Sequence, residues 1–210
     1  MAGGKYRLYG RSNAGSLAPQ IILEEIGAPY ELIWVRETPA DLEALRRINP
    51  AGKIPSLVLP DGTAVAESAA ILIHLTNAHA QAGLAPPAGT PAHALFLQWM
   101  VFLSANLYEA VLRYYYSERY SASGAAAAPA IKAQALLDYG AHLERVHGEL
   151  SPYVLGERLS AADPYLHMLA GWYPQEAQPL SSRLPKLARH AELLRRRPAT
   201  LKAERDHADG

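Results

Sequence analysis

Two residues with the chemistry to bind an anion lie where a predicted strand gives way to a predicted helix. Glu67 and Ser68 occupy this junction. The free amides and the positive dipole end of a helix N-terminus suit a carboxylate, and the Ser68 hydroxyl adds a donor. Either residue can also serve as a simple helix cap. On residue types alone, the pair therefore predicts either an anion site or a cap.

The composition limits which other chemistry the chain can perform. Its 210 residues contain no cysteine, which excludes disulfides, thiolate metal sites and cysteine nucleophiles. Lys plus Arg (20) balance Asp plus Glu (20), so no basic surplus favours nucleic acid. The 8 histidines show no metal-ligand spacing. We expect oxygen and nitrogen groups to do the chemistry, with no metal and no nucleic-acid partner.

Neither a membrane nor an export route is indicated by the hydropathy of the chain. No apolar run approaches the roughly 18 residues that span a bilayer. The first residues, Met-Ala-Gly-Gly-Lys, lack the apolar core of a signal peptide. We therefore expect a cytoplasmic protein with no membrane partner.

The hydropathy pattern predicts two regions of different architecture. The first contains four β-prone segments, at residues 6–9, 30–35, 54–59 and 64–66. A helix over 17–26 joins the first two segments, which favours a parallel β-α-β crossover. A stretch rich in Gly and Pro over 80–90 indicates a linker, and only helical patterns follow it. We expect a sheet-and-helix domain over 1–79 and an all-helical domain over 91–210.

The local sequence connects this layout with a known family. The run NPAGKIPSL begins at Asn49, and a DGT turn and the Glu67-Ser68 junction follow it. This succession resembles the glutathione-site run of the glutathione transferase superfamily. A later segment, LSAADPYL, resembles the family's helix-capping motif, with Ser160 and Asp163 as the capping pair. The resemblance covers nearly the whole chain and implies an α/β thioredoxin-like N-terminal domain (βαβ-ββα) followed by an all-α C-terminal domain.

The resemblance also implies which residues bind glutathione. Ile54, which precedes a cis Pro55, pairs its backbone with the cysteinyl part of the ligand. Glu67 takes the γ-glutamyl ammonium and Ser68 takes the γ-glutamyl carboxylate. Lys53 is either the cation near the glycyl carboxylate or a solvated loop lysine. By base rates a trans Pro55 is the commoner state, since only about 5–6% of X-Pro bonds are cis, and the surrounding motif is what favours the cis form.

A donor in the loop after the first strand must hold the glutathione thiol as a thiolate. The candidates in this chain are Ser12, Tyr9, Asn13 and Ser16. We favour Ser12, because it falls close to the hydroxyl of serine-type family members. Ser16 fits the N-cap of the first helix better, and Tyr9 fits packing at the strand end. The loop most resembles that of the bacterial, beta-like branch, but Gly15 stands where that branch has a cysteine.

The family resemblance places a hydrophobic electrophile between the domains, against the first long helix of the second domain. Tyr108 and Tyr115 share one face of that helix, and Tyr116 lies on another. Aromatic stripes are usually core, but the density of tyrosine also suits a pocket wall with orienting hydroxyls. The His-Lys pair that the beta-like branch carries on this helix is absent, which favours a divergent range of substrates.

These implications define an expected function and its alternatives. We expect a bacterial, cytoplasmic, homodimeric glutathione transferase that uses glutathione as a cosubstrate in detoxification. The missing cysteine and His-Lys pair favour the alternative of a noncatalytic glutathione- or ligand-binding module of the same fold. A glutathione-dependent peroxidase, isomerase or dehalogenase is also compatible with these residues.

Overall fold

The computed structural model of the chain describes residues 4–174 and 180–209. The chain divides into two compact units, one of Met1–Ala85 together with Leu194–Gly210 and one of Pro86–Leu193. The first unit therefore contains the C-terminal end of the chain. This grouping differs from the expected boundaries, which assign all of 91–210 to a second domain. The reason is that the last helix packs on the first helix of the chain.

The first unit is built on a four-stranded sheet. Its strands are β1 (Tyr6–Gly10), β2 (Tyr30–Trp34), β3 (Ser56–Val58) and β4 (Ala64–Ala66). They lie in the order β2-β1-β3-β4, with β1 and β2 parallel and the other neighbouring pairs antiparallel. A helix between β1 and β2 provides the crossover that parallel strands require. The predicted thioredoxin-like arrangement is confirmed.

Three helices of the first unit follow the predicted pattern. They are α1 (Leu17–Ile26), α2 (Pro39–Ile48) and α3 (Ser68–Ala78). Gly27 ends α1 with a left-handed φ of 64°, as its position predicts. α2 begins two residues earlier than the expected start at Asp41, because the Thr38 hydroxyl accepts a hydrogen bond from the Asp41 amide at 3.1 Å.

The core of the first unit lies where the sheet meets α1 and α3. Leu8 of β1 faces Leu57 of β3 in the strand register, and both side chains are completely buried. Ile22 of α1 and Leu72 of α3 are also completely buried. This apolar contact fixes the sheet against the two helices, and it thereby fixes the loops that leave the end of the sheet.

The second unit is helical. Its elements are α4 (Pro91–Phe102), a π-helical segment (Leu103–Tyr108), α5 (Glu109–Tyr115), α6 (Ala128–Glu149), α7 (Ala162–Gly171), α8 (Leu180–Arg183) and α9 (Pro185–Arg195). Among its described residues the only β-pairing is an isolated bridge between Tyr153 and Gly156. The prediction of an all-α region after the linker is confirmed. One more helix, α10 (Pro198–Asp209), lies in the first unit.

One long helix runs through α4, the π-helical segment and α5, and it corrects an expectation from the sequence. This helix, Pro91–Tyr115, has 25 residues and is long and apolar enough to cross a membrane by length and composition. No charged residue precedes Glu109 within it, although Gln98, Ser104 and Asn106 interrupt the apolar run. A core helix passes the same test, and Phe96, Met100 and Leu103 of this helix are completely buried.

The predicted capping pair before α7 is present and belongs to a larger buried network. The Asp163 carboxylate accepts hydrogen bonds from the Ser160 amide at 2.7 Å and the Ser160 hydroxyl at 2.9 Å. It also accepts from the Val154 amide at 2.8 Å and from Nε2 of His190 at 3.0 Å. The side chains of Asp163 and His190 are both completely buried. Asp163 therefore joins three segments of the second unit.

Candidate functional site

The strand register brings the three sequence-predicted motifs of the first unit to one edge of the sheet. Tyr9 of β1 lies opposite Ser56 of β3, and Ser56 lies opposite Ala66 of β4. Because β3 is antiparallel to both neighbours, β3 begins at the edge where β1 and β4 end. The loop after Gly10, the segment before Ser56 and the Glu67-Ser68 junction therefore meet at this edge, which is called the motif edge below.

Asn49 organises the segment before β3, a role that the sequence analysis did not assign. Its side-chain amide donates to the Lys53 carbonyl at 2.9 Å, and its side-chain oxygen accepts from the Ala51 amide at 3.1 Å. The buried Ser56 hydroxyl donates to the same Lys53 carbonyl at 2.9 Å. An asparagine directly after a helix and before Pro50 was the available sequence signal. These bonds hold the Lys53 backbone, while the Lys53 side chain is exposed.

Ile54 presents its backbone at the motif edge. The Ile54-Pro55 peptide bond is cis, as the family motif predicts. Pro55 is buried and Ile54 is half-buried. Within the described part of the chain, neither the N–H nor the C=O of Ile54 has a hydrogen-bond partner. Polar backbone groups are normally paired, so this residue is suited to pair with an extended peptide.

The Glu67-Ser68 junction has an unusual backbone geometry. Glu67 has φ of 68° and ψ of 118°, a region that residues other than glycine rarely adopt. Its exposed side chain makes no capping hydrogen bond to α3, so the structure does not use it as the cap that residue type alone permits. Ser68 is the buried first residue of α3, at the positive end of the helix. Strained backbone of this kind clusters at ligand-binding sites.

The loop after β1 holds Ser12 and Asn13 at the motif edge. Both residues are exposed, and Asn13 has a left-handed φ of 47°. The Ser12 hydroxyl donates to the carbonyl of His207, near the end of α10. A hydroxyl has one hydrogen to donate. Ser12 is the donor that the sequence favours for thiol activation. In this arrangement its hydrogen is therefore directed at α10.

The other two candidate donors differ in their surroundings. Ser16 is completely buried and stands at the N-cap position of α1, but its hydroxyl does not cap the helix. It donates instead to the Arg11 carbonyl at 3.3 Å, which corrects the expected capping role. The helical φ and ψ of Ser16, −79° and −12°, differ from the extended backbone that a capping side chain requires. Tyr9 is half-buried at the end of β1.

Replacing Gly10 by alanine is expected to displace Ser16 and the loop. A Cβ at position 10 would lie 2.3 Å from the Ser16 hydroxyl oxygen and 2.6 Å from the Ser16 Cβ. Overpacking at a buried site costs about 1–3 kcal/mol, and urea unfolding should show a loss of this size. Gly148→Ala in α6, where nothing lies within 4 Å, should cause no loss. If Ser16→Gly fails to restore the stability of Gly10→Ala, the Ser16 contact is not the cause.

The predicted electrophile-binding tyrosines lie in the second unit, and two of them converge on Trp172. The Tyr108 ring centre is 5.7 Å from that of Trp172, and the Tyr115 hydroxyl donates to the Trp172 carbonyl at 2.6 Å. Tyr116 lies elsewhere, under the Arg119 guanidinium at 4.1 Å. Tyr115 is 53% exposed and Tyr116 is 43% exposed, so both rings can contact a ligand or partner.

No metal centre is evident in the described residues. Across 4–174 and 180–209, no group of three or more His, Asp or Glu side chains is placed to hold a metal ion. The motif edge itself offers hydroxyl, carboxylate, ammonium and backbone groups.

The fold and the motif edge define a two-unit protein with a thioredoxin-like first unit, an open backbone segment and a helix N-terminus at one sheet edge. The family model described as "Glutathione S-transferase, N-terminal domain" matches residues 16–78. Residues 16–78 therefore belong to the N-terminal domain family of the glutathione transferases.

Individual relatives resemble most of the chain. It is 29% identical to the uncharacterized GST-like protein YncG of Escherichia coli K12 over 174 residues, covering 80% of this chain and 82% of YncG. It is 26% identical to the glutathione S-transferase GstA of Escherichia coli O157:H7, covering 79% of this chain and 81% of GstA. A Sulfitobacter glutathione transferase homologue, solved with bound glutathione, has a TM-score of 0.87 at 26% identity, covering 96% of this chain and 98% of the homologue.

Proposed function

We propose that this chain is a glutathione transferase that binds glutathione at the motif edge and activates its thiol for attack on a hydrophobic electrophile. The backbone of Ile54 pairs with the cysteinyl part of glutathione, beside the cis Pro55. Glu67 binds the γ-glutamyl ammonium, and Ser68 with the N-terminus of α3 binds the γ-glutamyl carboxylate. Lys53 lies on the same loop as Ile54 and supplies a cation for the glycyl carboxylate.

The observation that carries this proposal is the open backbone of Ile54 at the same edge as the Glu67-Ser68 junction. An extended peptide needs a backbone donor and acceptor, and Ile54 provides both. The γ-glutamyl end of glutathione carries an ammonium and a carboxylate. The ammonium needs an anion, and the carboxylate needs hydrogen-bond donors. Glu67 and Ser68 provide these, and Glu67 is held in a strained conformation without serving as a cap.

The proposed reaction begins with loss of the thiol proton from bound glutathione to solvent or base. The thiolate sulfur then donates its electron pair to an electrophilic carbon, a C–S bond forms, and the leaving group departs with its bonding pair. The protein assists by stabilising the thiolate with a hydroxyl donor, for which Ser12 remains our first choice, ahead of Tyr9, Asn13 and Ser16. Ser16 is disfavoured because its hydroxyl is completely buried and directed at Arg11.

The electrophile is proposed to contact the tyrosines of the second unit. Tyr108 and Tyr115 supply aromatic surface next to Trp172, and Tyr116 adds a further exposed ring. Tyrosine combines an apolar face with a polar hydroxyl, which suits a substrate that is hydrophobic around one polar reacting group. We further propose that the protein works as a cytoplasmic homodimer in detoxification.

Glu67→Gln is expected to weaken glutathione binding by about 10- to 100-fold, because hydrogen bonds to charged groups are worth about 1.5–3 kcal/mol. Isothermal calorimetry with glutathione measures the loss. The dipeptide Cys-Gly, which lacks the γ-glutamyl group, should bind the variant and the unchanged protein equally. Glu31→Gln, at an exposed position of the edge strand β2, should leave both affinities unchanged. Equal glutathione binding by Glu67→Gln and the unchanged protein would remove Glu67 from the site.

A noncatalytic glutathione-binding module is the second candidate function, and one observation favours it. The hydrogen of the Ser12 hydroxyl is directed at the His207 carbonyl and not toward the motif edge. If this arrangement is permanent, the chain binds glutathione without activating it. Tight glutathione binding without thiolate formation and without turnover of any electrophile is the result that this alternative predicts.

A further inference from the structure

Helix α10 packs along α1 of the same unit and is linked to it by polar contacts. Three residue pairs join α10 and the residue before it to α1: Nη2 of Arg197 to Oε2 of Glu25 at 2.7 Å, Nζ of Lys202 to Oε1 of Glu24 at 2.5 Å, and Nε2 of Gln20 to Oδ2 of Asp206 at 2.7 Å. The residue numbers rise along α10 as they fall along α1. The last turn of α10 therefore reaches the start of α1 and the loop that precedes it.

At that point the Ser12 hydroxyl forms a hydrogen bond with a backbone carbonyl in the last turn of α10. The structure gives α10 as Pro198–Asp209, and His207 lies in its last described turn. The Ser12 hydroxyl donates to the His207 carbonyl. The bond spans 195 positions of the sequence and connects the loop of the motif edge with α10.

This bond decides what Ser12 can offer to a ligand. A serine hydroxyl has one hydrogen to donate and two lone pairs that accept. While its hydrogen is held by His207, Ser12 can only accept a hydrogen bond, and an acceptor stabilises the protonated S–H form of a thiol. Once that hydrogen is released, Ser12 can donate to sulfur and stabilise the thiolate.

We infer that α10 is a regulatory strap on thiol activation. When its last turn is seated, it holds the Ser12 hydroxyl hydrogen and keeps bound glutathione in the thiol form. When the last turn is released, Ser12 turns to the sulfur and the thiolate forms. This inference rests on the proposed function and adds regulation of the same site.

The interface between α10 and the rest of the first unit buries polar atoms that lack hydrogen-bond partners in the described part of the chain. These atoms favour release of the last turn of α10. Both ring nitrogens of His207 are buried without a hydrogen-bond partner among the described residues, and the ring lies edge-on to Trp34 at 5.1 Å. The Thr200 hydroxyl and the side-chain oxygen of Gln20 are also buried without a partner there. Each of these groups regains hydrogen bonds to water when the helix lifts. The apolar contacts of Ala203, which is completely buried, oppose the release.

Ala208→Pro tests the strap in the full chain. Ala208 is exposed in the last turn, so the proline ring itself enters no buried space. It disfavours the helical conformation of the preceding residue and so turns the His207 carbonyl away from Ser12. We expect the thiolate-to-thiol ratio of bound glutathione to rise about tenfold at a given pH, which is one unit in the thiol pKa. The ultraviolet absorbance of the thiolate, followed against pH, measures this ratio.

Three comparisons complete the test. Arg205→Ala, on the exposed side of α10, should leave the thiol titration unchanged. Ala208→Pro should have no effect in a Ser12→Ala background, because the donor is then gone. An unchanged titration in Ala208→Pro, or an equal shift with and without Ser12, overturns the strap alone. Failure of the unchanged protein to bind glutathione overturns the proposed function and the strap together.

Discussion

Asp163→Ala is expected to lower the free energy of unfolding by about 3–5 kcal/mol, because each buried donor left without an acceptor costs about 1–3 kcal/mol. The Asp163 carboxylate accepts hydrogen bonds from Ser160, Val154 and His190, and its side chain is completely buried. Alanine leaves those donors buried without an acceptor. Urea unfolding followed by circular dichroism measures the loss.

A carboxylate in a less buried pair provides the matched control for Asp163. Asp138 of α6 pairs with Arg113 at 2.9 Å, and its side chain is 30% exposed. Partly exposed pairs contribute about 1 kcal/mol or less, so Asp138→Ala should cost far less than Asp163→Ala. If the two variants lose the same stability, the buried network does not hold the second unit together as argued.

The stability of the first unit is expected to fall as the pH drops from 6.5 to about 4, because of His207. Burial lowers the pKa of His207 from its ordinary value of 6.5 to about 4, and the nearby Asp206 carboxylate opposes this only partly. Below pH 6.5 the unfolded chain therefore binds a proton that the folded ring excludes. By linkage the loss across this window amounts to at most about 3 kcal/mol, and above pH 6.5 the contribution is constant.

His207→Phe separates this effect from the other titrating groups. Phenylalanine fills similar space beside Trp34, retains the backbone carbonyl that Ser12 uses, and has no proton to bind. Urea unfolding across this pH range should show a flatter profile for the variant. Burial also lowers the pKa of His142, but His142 is present in both proteins and cancels in the comparison. Parallel profiles for the two proteins would exclude His207 as the cause.

Local signals were sufficient to predict most of the first unit. Strand periodicity and the Gly27 stop are read from neighbouring residues, and they predict the sheet and α1. The resemblance of the NPAGKIP run to the family motif predicts the cis Pro55. The capping pair of Ser160 and Asp163 is local too. The position of the last helix could not be predicted from local signals, because contacts between residues far apart in sequence leave no local pattern. The bond from Ser12 to His207 depends entirely on that packing.

The grouping of the candidate site residues follows from a local motif, whereas the choice among the loop donors depends on the fold. Ile54, Glu67 and Ser68 come from one run, and the register places them at one edge. Choosing among the loop donors requires knowing which hydroxyls are already engaged, and residue types carry no such information. Gly15, which the family resemblance aligns with the cysteine of the beta-like branch, is buried and has no side chain to offer a ligand.

The most direct test of the central claim is an amide NMR titration of the full chain with glutathione. Binding at the motif edge predicts saturable shifts in the loop after Gly10, around Lys53 and Ile54, and at Glu67 and Ser68. Amides on the opposite edge of the sheet should stay in place. Millimolar glutathione that leaves every motif-edge amide unmoved, or that shifts only amides elsewhere, would contradict the claim that this chain binds glutathione there.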